Sequence, residues 1–346
     1  MLKRFFFAAL FALTLLLLFA CSAQGTVPPD PSDEQLSPDA SGMISSPNTA
    51  EKKLSVVCTA FPVYDWVRNI LGTRANEVEL TYLLESGTDM HSYQPSADDM
   101  VKIASCDLFV HIGGTSDVWV ADALRGAVNG DMVVLSLMDV MLSLDLALPV
   151  APVMGMQEHA HEGSSHAVEY DEHIWLSPVC AAGLVAAIGE ALCAVDEKNA
   201  ALYRKNCADY SQQLSTLDKD IRAAVGSGTK GTVLIADRYP FRYLIDEYDI
   251  ACYAAFDACS AETSASFETI VFLASKVDEL GLSVLLTTES SDGSVANTIA
   301  ASTAAKDQAV LALDSMQSVT RAQVEAGTTY LGVMRENMEV LRIALA

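Results

Sequence analysis

Between Asp196 and Val225 the chain carries Tyr203, Cys207, Tyr210, Leu214, Leu217 and Ile221 at alternating spacings of four and three residues. That spacing lays one apolar stripe along a helix, and at 1.5 Å per residue such a helix runs about 45 Å. A helix of this length is a strut rather than a hinge loop, so whatever precedes it and whatever follows it must fold as separate halves. A chain of 346 residues has room for two such halves, each with its own core.

Both halves alternate short apolar runs with amphipathic stretches. In the first, LSVVCTA, VELTYLL, CDLFVHIG and DMVVLSL read as strands. FPVYDWVRNILG, SADDMVKIAS and DVWVADALRGA read as helices, the first ending at Gly72 and the second opening on an N-cap serine. In the second half TVLIADR, SVLLTTE and QAVLALD are strands, while FRYLIDEY, FETIVFLASKVDELG and TTYLGVMRENMEVLRIALA are helices. Alternation of this kind predicts an α/β protein: two lobes with mainly parallel sheets, residues 54–195 and 227–346, joined by a rigid linking helix over 196–226. Open α/β sheets place ligands at the C-terminal ends of their strands, which here predicts a cleft between the lobes.

The N-terminus has a different physics. Lys3 and Arg4 precede a nearly unbroken apolar run from Phe5 to Ala20, shorter than the roughly 20 residues that span a bilayer. It ends in Leu18-Phe19-Ala20-Cys21, which resembles a bacterial lipobox, with Phe19 larger than the usual residue. Residues 1–20 then form a lipoprotein signal peptide, Cys21 takes the lipid, and the chain is tethered to a membrane outside the cytoplasm. An uncleaved anchor is the alternative and leaves the chain on the same side. Residues 21–53 are rich in Pro, Ser, Asp and Gly and cannot bury a core, so they read as a disordered stalk.

The formal net charge of −24 becomes more negative when the signal leaves with its two basic residues. It argues against nucleic acid as a partner and favours cations. Of eight cysteines, Cys21 is assigned to lipid and most others lie in apolar runs, where Cys behaves as a small hydrophobe. Only Cys252 and Cys259 are near enough in sequence for a local bridge, and free thiols are the favoured state.

Histidine is where the chemistry concentrates. The stretch HAHEGSSHAVEYDEHIW, from His159 to Trp175, holds four of the six histidines. Two shorter stretches place a histidine at a strand end or helix start: GTDMHSYQP, with His91, and DEHIWLSP, with His173. His111, in LFVHIGG, ends an apolar strand and reads as a satisfied structural residue.

In that order, these two loops resemble the metal-binding solute-binding lipoproteins of zinc and manganese ABC importers. The likeness runs from Leu54 to Ala346 and includes the CTAFPVYDWVRNI opening, the long helix and the YLGVMRENMEVL close. It implies two α/β lobes with a metal between them, His91 and His173 as ligands from the first lobe, and Asp314 in VLALDSM as a ligand from the last strand. It also implies a third ligand, His or Glu, at the position that Arg238 occupies here. Arginine has no lone pair to give a cation, and the adjacent Asp237 is the favoured substitute, brought in by a one-residue shift in ADRYPF. Glu289 is the reserve carboxylate, or else a residue capping the turn after its strand. Asp171 and Glu172 are candidates for orienting a ligand imidazole.

Two imidazoles with one or two carboxylates suit zinc, while manganese prefers more oxygen. His159, His161 and His166 form a His-rich loop of the kind that marks zinc importers, so Zn2+ is favoured and Mn2+ is the alternative. The implied function is capture of zinc and delivery to an ABC permease and its ATPase, separate chains, by a monomer. The rivals are a zinc-dependent hydrolase, for which HExxH and GxSxG motifs are lacking, and a surface adhesin.

Overall fold

The computed structural model describes residues 52–151, 168–258 and 265–346. The signal segment, Cys21, the stalk up to residue 51, His159, His161, His166 and Cys259 lie outside the described residues.

The first half contributes β1 (Ser55–Cys58), β2 (Glu79–Tyr82), β3 (Leu108–His111) and β4 (Val133–Ser136), paired in parallel in the order β2-β1-β3-β4. The order follows from the side chains. β3 is buried at every position and β1 at three of four, as a strand covered on both faces requires, whereas β2 and β4 keep partly exposed residues and take the edges. Helices α1 (Phe61–Leu71), α2 (Ala97–Ser105), α3 (Val120–Arg125), α4 (Leu137–Ser143) and α5 (Pro178–Val195) surround this sheet. Ser96 and Asp99 close a capping box at the start of α2.

After α6 (Ala200–Gly226) the second half repeats the plan. β5 (Thr232–Tyr239), β6 (Ala251–Asp257), β7 (Val284–Thr288) and β8 (Ala309–Leu313) form a second parallel sheet in the order β6-β5-β7-β8. With it go α7 (Arg242–Glu247), α8 (Phe267–Leu280), α9 (Ser294–Ser302), α10 (Arg321–Glu325) and α11 (Tyr330–Ala344). The α/β class and the parallel sheets read from the sequence are therefore present.

Several details differ from the sequence reading. The long helix starts at Ala200 rather than Asp196, because the Asp196 carboxylate accepts from Asn199 (Nδ2, 2.8 Å) and Tyr203 (Oη, 2.5 Å) and turns the chain between α5 and α6. The strand β6, and the short helices α4, α9 and α10, had no sequence assignment. β6 lies at a sheet edge with broken alternation, and α9 buries only Ala296 and Ile299.

The strut is not free-standing. α6 packs against α1 and α5 of the first half and α11 of the second, burying Tyr203, Tyr210, Leu214, Leu217 and Ile221. Trp66 of α1 meets Tyr330 of α11 edge to face, at 5.2 Å between ring centroids, a contact worth about 0.5–1.5 kcal/mol beyond the area it buries. The backbone N–H of Tyr330 donates to the buried Asp65 carboxylate of α1 at 3.0 Å, so one half caps a helix of the other. Ser86 and Thr320 form an antiparallel bridge, and Tyr82 Oη donates to the Val319 carbonyl at 2.8 Å. The described residues belong to one compact unit.

Cys58, Cys106, Cys180, Cys193, Cys207 and Cys252 are free thiols. Burial, chiefly, pushes Cys180 up to about 11 and Cys106 up to about 12, so both stay protonated and act as small apolar groups.

Candidate metal centre

His91 and His173 come from segments 82 positions apart in sequence, yet their ring centroids lie 5.4 Å apart. His91 sits in a short 3-10 turn, Met90–Ser92, in the loop after β2; Asp89 caps this turn by accepting from the His91 N–H at 3.0 Å. His173 immediately precedes another such turn, Ile174–Leu176, that leads into α5.

Each imidazole is held from behind by a carboxylate. His173 Nδ1 lies 2.9 Å from Asp171 Oδ1, which also accepts the His173 N–H. The Asp171 carbonyl in turn accepts from Tyr243 Oη of α7, across from the other half. His91 Nδ1 lies 2.7 Å from Ser116 Oγ and 3.1 Å from Glu172 Oε1. Ser116 donates its one hydroxyl proton to Glu172 Oε1 at 2.6 Å, so toward His91 it can only accept. In the neutral rings both Nδ1 atoms therefore carry the proton and both Nε2 atoms carry the lone pair. Both Nε2 atoms are buried and, among the described residues, have no hydrogen-bond partner. His173 is 1% exposed.

Glu172 is seated by more than His91. Its Oε2 accepts the Ser116 N–H at 2.9 Å, and the chain passes so close at Gly114 (φ 83°) that a Cβ there would come within 2.6 Å of Oε2. Only glycine meets both demands. Burial would push the Glu172 carboxyl up, but hydrogen bonds from His91 and from the Ser116 side chain and backbone outweigh it and hold it down at about 2.

The carboxylates of the second half are placed differently. Asp314 follows β8, with its backbone N–H and carbonyl both pinned by Asn337 at 2.8 Å. Its Oδ1 accepts the Met316 N–H, with Met316 in the left-handed region at φ 59°, and among the described residues Oδ2 has no hydrogen bond. Burial first, then the neighbouring charge of Glu289, raises this carboxyl to about 6. Glu289 accepts from the backbone and hydroxyl of Ser315 at 2.8 and 2.9 Å, so it caps the turn that carries Asp314. Trp175 Nε1 donates to the Ser315 carbonyl at 2.9 Å, tying that turn to the His173 segment.

The Asp237 carboxylate, favoured as third ligand in the sequence reading, is engaged within its own sheet. The register of β5 does shift between Ile235 and Arg238, as a bulge. The shift points the Asp237 carboxylate along the sheet: Oδ1 accepts the Arg238 N–H, and Oδ2 accepts from the backbone and hydroxyl of Thr288 on β7. It is Arg238 that reaches across, to Asp89 Oδ2 at 2.9 Å. Among the described residues no set of three or more His, Cys, Asp or Glu side chains is close enough to hold a metal ion. His91 and His173 are together, and Asp237, Asp314 and Glu289 are not grouped with them.

Ser116 and Tyr243 were missed from sequence. Ser116 follows the Gly113-Gly114 pair that ends β3, and a double glycine at a strand end was the available signal. His111 is satisfied as read, its Nδ1 lying 3.2 Å from Asp117 and its ring stacked on Phe109.

Two parallel four-stranded sheets joined through one long packed helix, in which the first half contributes a pair of histidines with buried Nε2 atoms, define a two-lobed α/β protein. The family model described as "ZnuA: Zinc-uptake complex component A periplasmic" matches residues 56–344, and the chain belongs to that family. It is 29% identical over 298 residues to the zinc-binding lipoprotein AdcA of Streptococcus pneumoniae, covering 86% of this chain and 57% of that one. It is 27% identical over 300 residues to the high-affinity zinc uptake system protein ZnuA of Bacillus subtilis, covering 85% of this chain and 88% of that one. The chain thus spans little more than half the length of the streptococcal relatives it matches. In structure it resembles the Zn(II)-bound ZnuA-like domain of S. pneumoniae AdcA, with a TM-score of 0.65 at 24% identity over 85% of this chain and 99% of that domain. That likeness speaks for the fold.

Proposed function

We propose that this chain captures zinc outside the cytoplasm and hands it to the permease of an ABC importer. The observation that carries the reading is the pair of buried Nε2 atoms that have no hydrogen-bond partner among the described residues, each on a ring whose Nδ1 is held by a carboxylate. Leaving a buried acceptor unpaired costs about 1–3 kcal/mol, and two such atoms side by side make sense as donors to a cation. A carboxylate behind a ligand imidazole fixes the tautomer and makes the free nitrogen a stronger donor.

His91 and His173 supply two of zinc's four places, and Asp314 Oδ2 supplies a third when the turn that bears it closes toward them. Water takes the fourth, or Asp237 once it leaves Thr288. Imidazole-led coordination favours zinc over manganese. His159, His161 and His166 serve to collect zinc, and Cys21 carries the lipid that keeps the chain at the membrane, as the relative named a zinc-binding lipoprotein suggests. The permease and its ATPase are separate chains, and the role is capture and release, with no substrate bond made or broken.

The test is zinc stoichiometry and affinity on the folded chain, read by competition with a chromophoric chelator. One tight zinc per chain, lost in both His91→Ala and His173→Ala, is the expected result. Stoichiometric tight binding that survives both substitutions overturns the reading.

A further inference from the structure

Arg238 brings a permanent positive charge to the edge of a site that is read here as taking a divalent cation, and the structure contains an answer to that conflict. The guanidinium Nη1 lies 2.9 Å from Asp89 Oδ2, and Nη2 lies 3.4 Å from Ser290 Oγ. Asp89 uses its other oxygen to accept the His91 N–H at 3.0 Å. One carboxylate therefore neutralises the arginine and caps the turn that presents His91. The pair also spans the two halves, since Asp89 follows β2 and Arg238 ends β5. Both side chains are about a quarter exposed, so the pair is screened too well to hold the fold together by itself. Its effect falls on what is nearby.

We infer that Asp89 is a positioning and charge-compensating residue for cation capture: one oxygen holds the His91 turn and the other cancels the charge that Arg238 brings beside that turn. The inference rests on the zinc-capture reading above. It separates two effects that a simple salt bridge would not. Asp89→Asn keeps an oxygen for the His91 N–H but leaves the guanidinium without its counter-charge, so a like charge faces the entering cation. Arg238→Ala removes that charge and leaves the Asp89 cap on the His91 turn in place. A pair that mattered only for stability would show similar losses in the two single variants and no recovery in the double.

The experiment measures zinc affinity by chelator competition in wild type, Asp89→Asn, Arg238→Ala and the double variant, with the melting temperature of each metal-free protein as a control for folding. Asp89→Asn is expected to weaken zinc binding about tenfold or more, the scale of one uncompensated charge near a bound cation. The double variant is expected to return to within about threefold of wild type, less than half a decade on the same free-energy scale. An Asp89→Asn variant that binds like wild type, or a double variant as weak as Asp89→Asn, overturns the inference while leaving zinc capture standing. Wild type that binds no zinc overturns both.

Discussion

Glu172 and Asp314 are both largely buried carboxylates, and their surroundings drive them in opposite directions. Around Glu172, donors from His91 and Ser116 overcome burial, so it stays ionised and can hold the ring. Around Asp314 burial dominates, Glu289 adds a like charge, and the carboxyl rises to about 6. An acid whose folded pKa is raised binds its proton more tightly in the fold than in the unfolded chain. Stability of the metal-free protein therefore falls as pH rises from about 4 through about 6, and the ionised group costs roughly 1–3 kcal/mol at neutral pH. Asp314→Asn should thus raise the melting temperature of the metal-free protein at pH 7, leave it nearly unchanged at pH 4, and weaken zinc binding. Thermal melts at the two pH values with and without zinc check this, and an Asn variant no more stable at pH 7 would sink it. In wild type, zinc affinity should drop as pH falls through about 6, where Asp314 takes up its proton. His91 and His173 were legible as candidates because each stands in a distinctive short loop. Behind them, Asp171 and Glu172 were also read as candidates, whereas Ser116 and Tyr243 were not, since they reach the site only through folding.

At the scale of elements, α6 was the most legible part of the chain. Its apolar stripe is regular because one face must bury Tyr203, Tyr210, Leu214, Leu217 and Ile221 against helices of both halves. Leu217 is 1% exposed, and Leu217→Ala should cost about 2–5 kcal/mol by lost burial plus a cavity. Urea unfolding measures it, and a loss below about 1 kcal/mol would mean that the stripe collapses around the gap. Interior strands were equally readable, β3 and β7 each opening on an apolar run and being buried throughout. The edge strand β6 and the short helices α4, α9 and α10 were not. β6 alternates imperfectly because only part of it is covered, and α9 offers too few buried positions to set a period. The first turn of the long helix was misplaced because Asp196 is held by Asn199 and by Tyr203, whose bonds have no signature in the local pattern.

The whole molecule consists of two sheets with the same strand order, tied by α6, by the Asp65 cap on α11 and by the Ser86–Thr320 bridge. Because these ties make the described residues one compact unit, a cation bound at the histidine pair should stabilise all of it. Free zinc at a hundredfold excess over its dissociation constant should add about 2.7 kcal/mol to unfolding. That appears as a rise in melting temperature, reversed by a chelator and missing in His173→Ala; a wild-type midpoint indifferent to zinc would contradict it. The sequence by itself determined the α/β class, the parallel sheets, the long helix and the two histidine loops, because apolar periodicity and short motifs are local properties written into neighbouring residues. Tertiary structure alone decided which nitrogen of each ring is free, that Asp237 faces Thr288, and that Arg238 meets Asp89. Those outcomes depend on a bulge in β5 and on contacts between residues as much as 149 positions apart, and no local pattern encodes such distances.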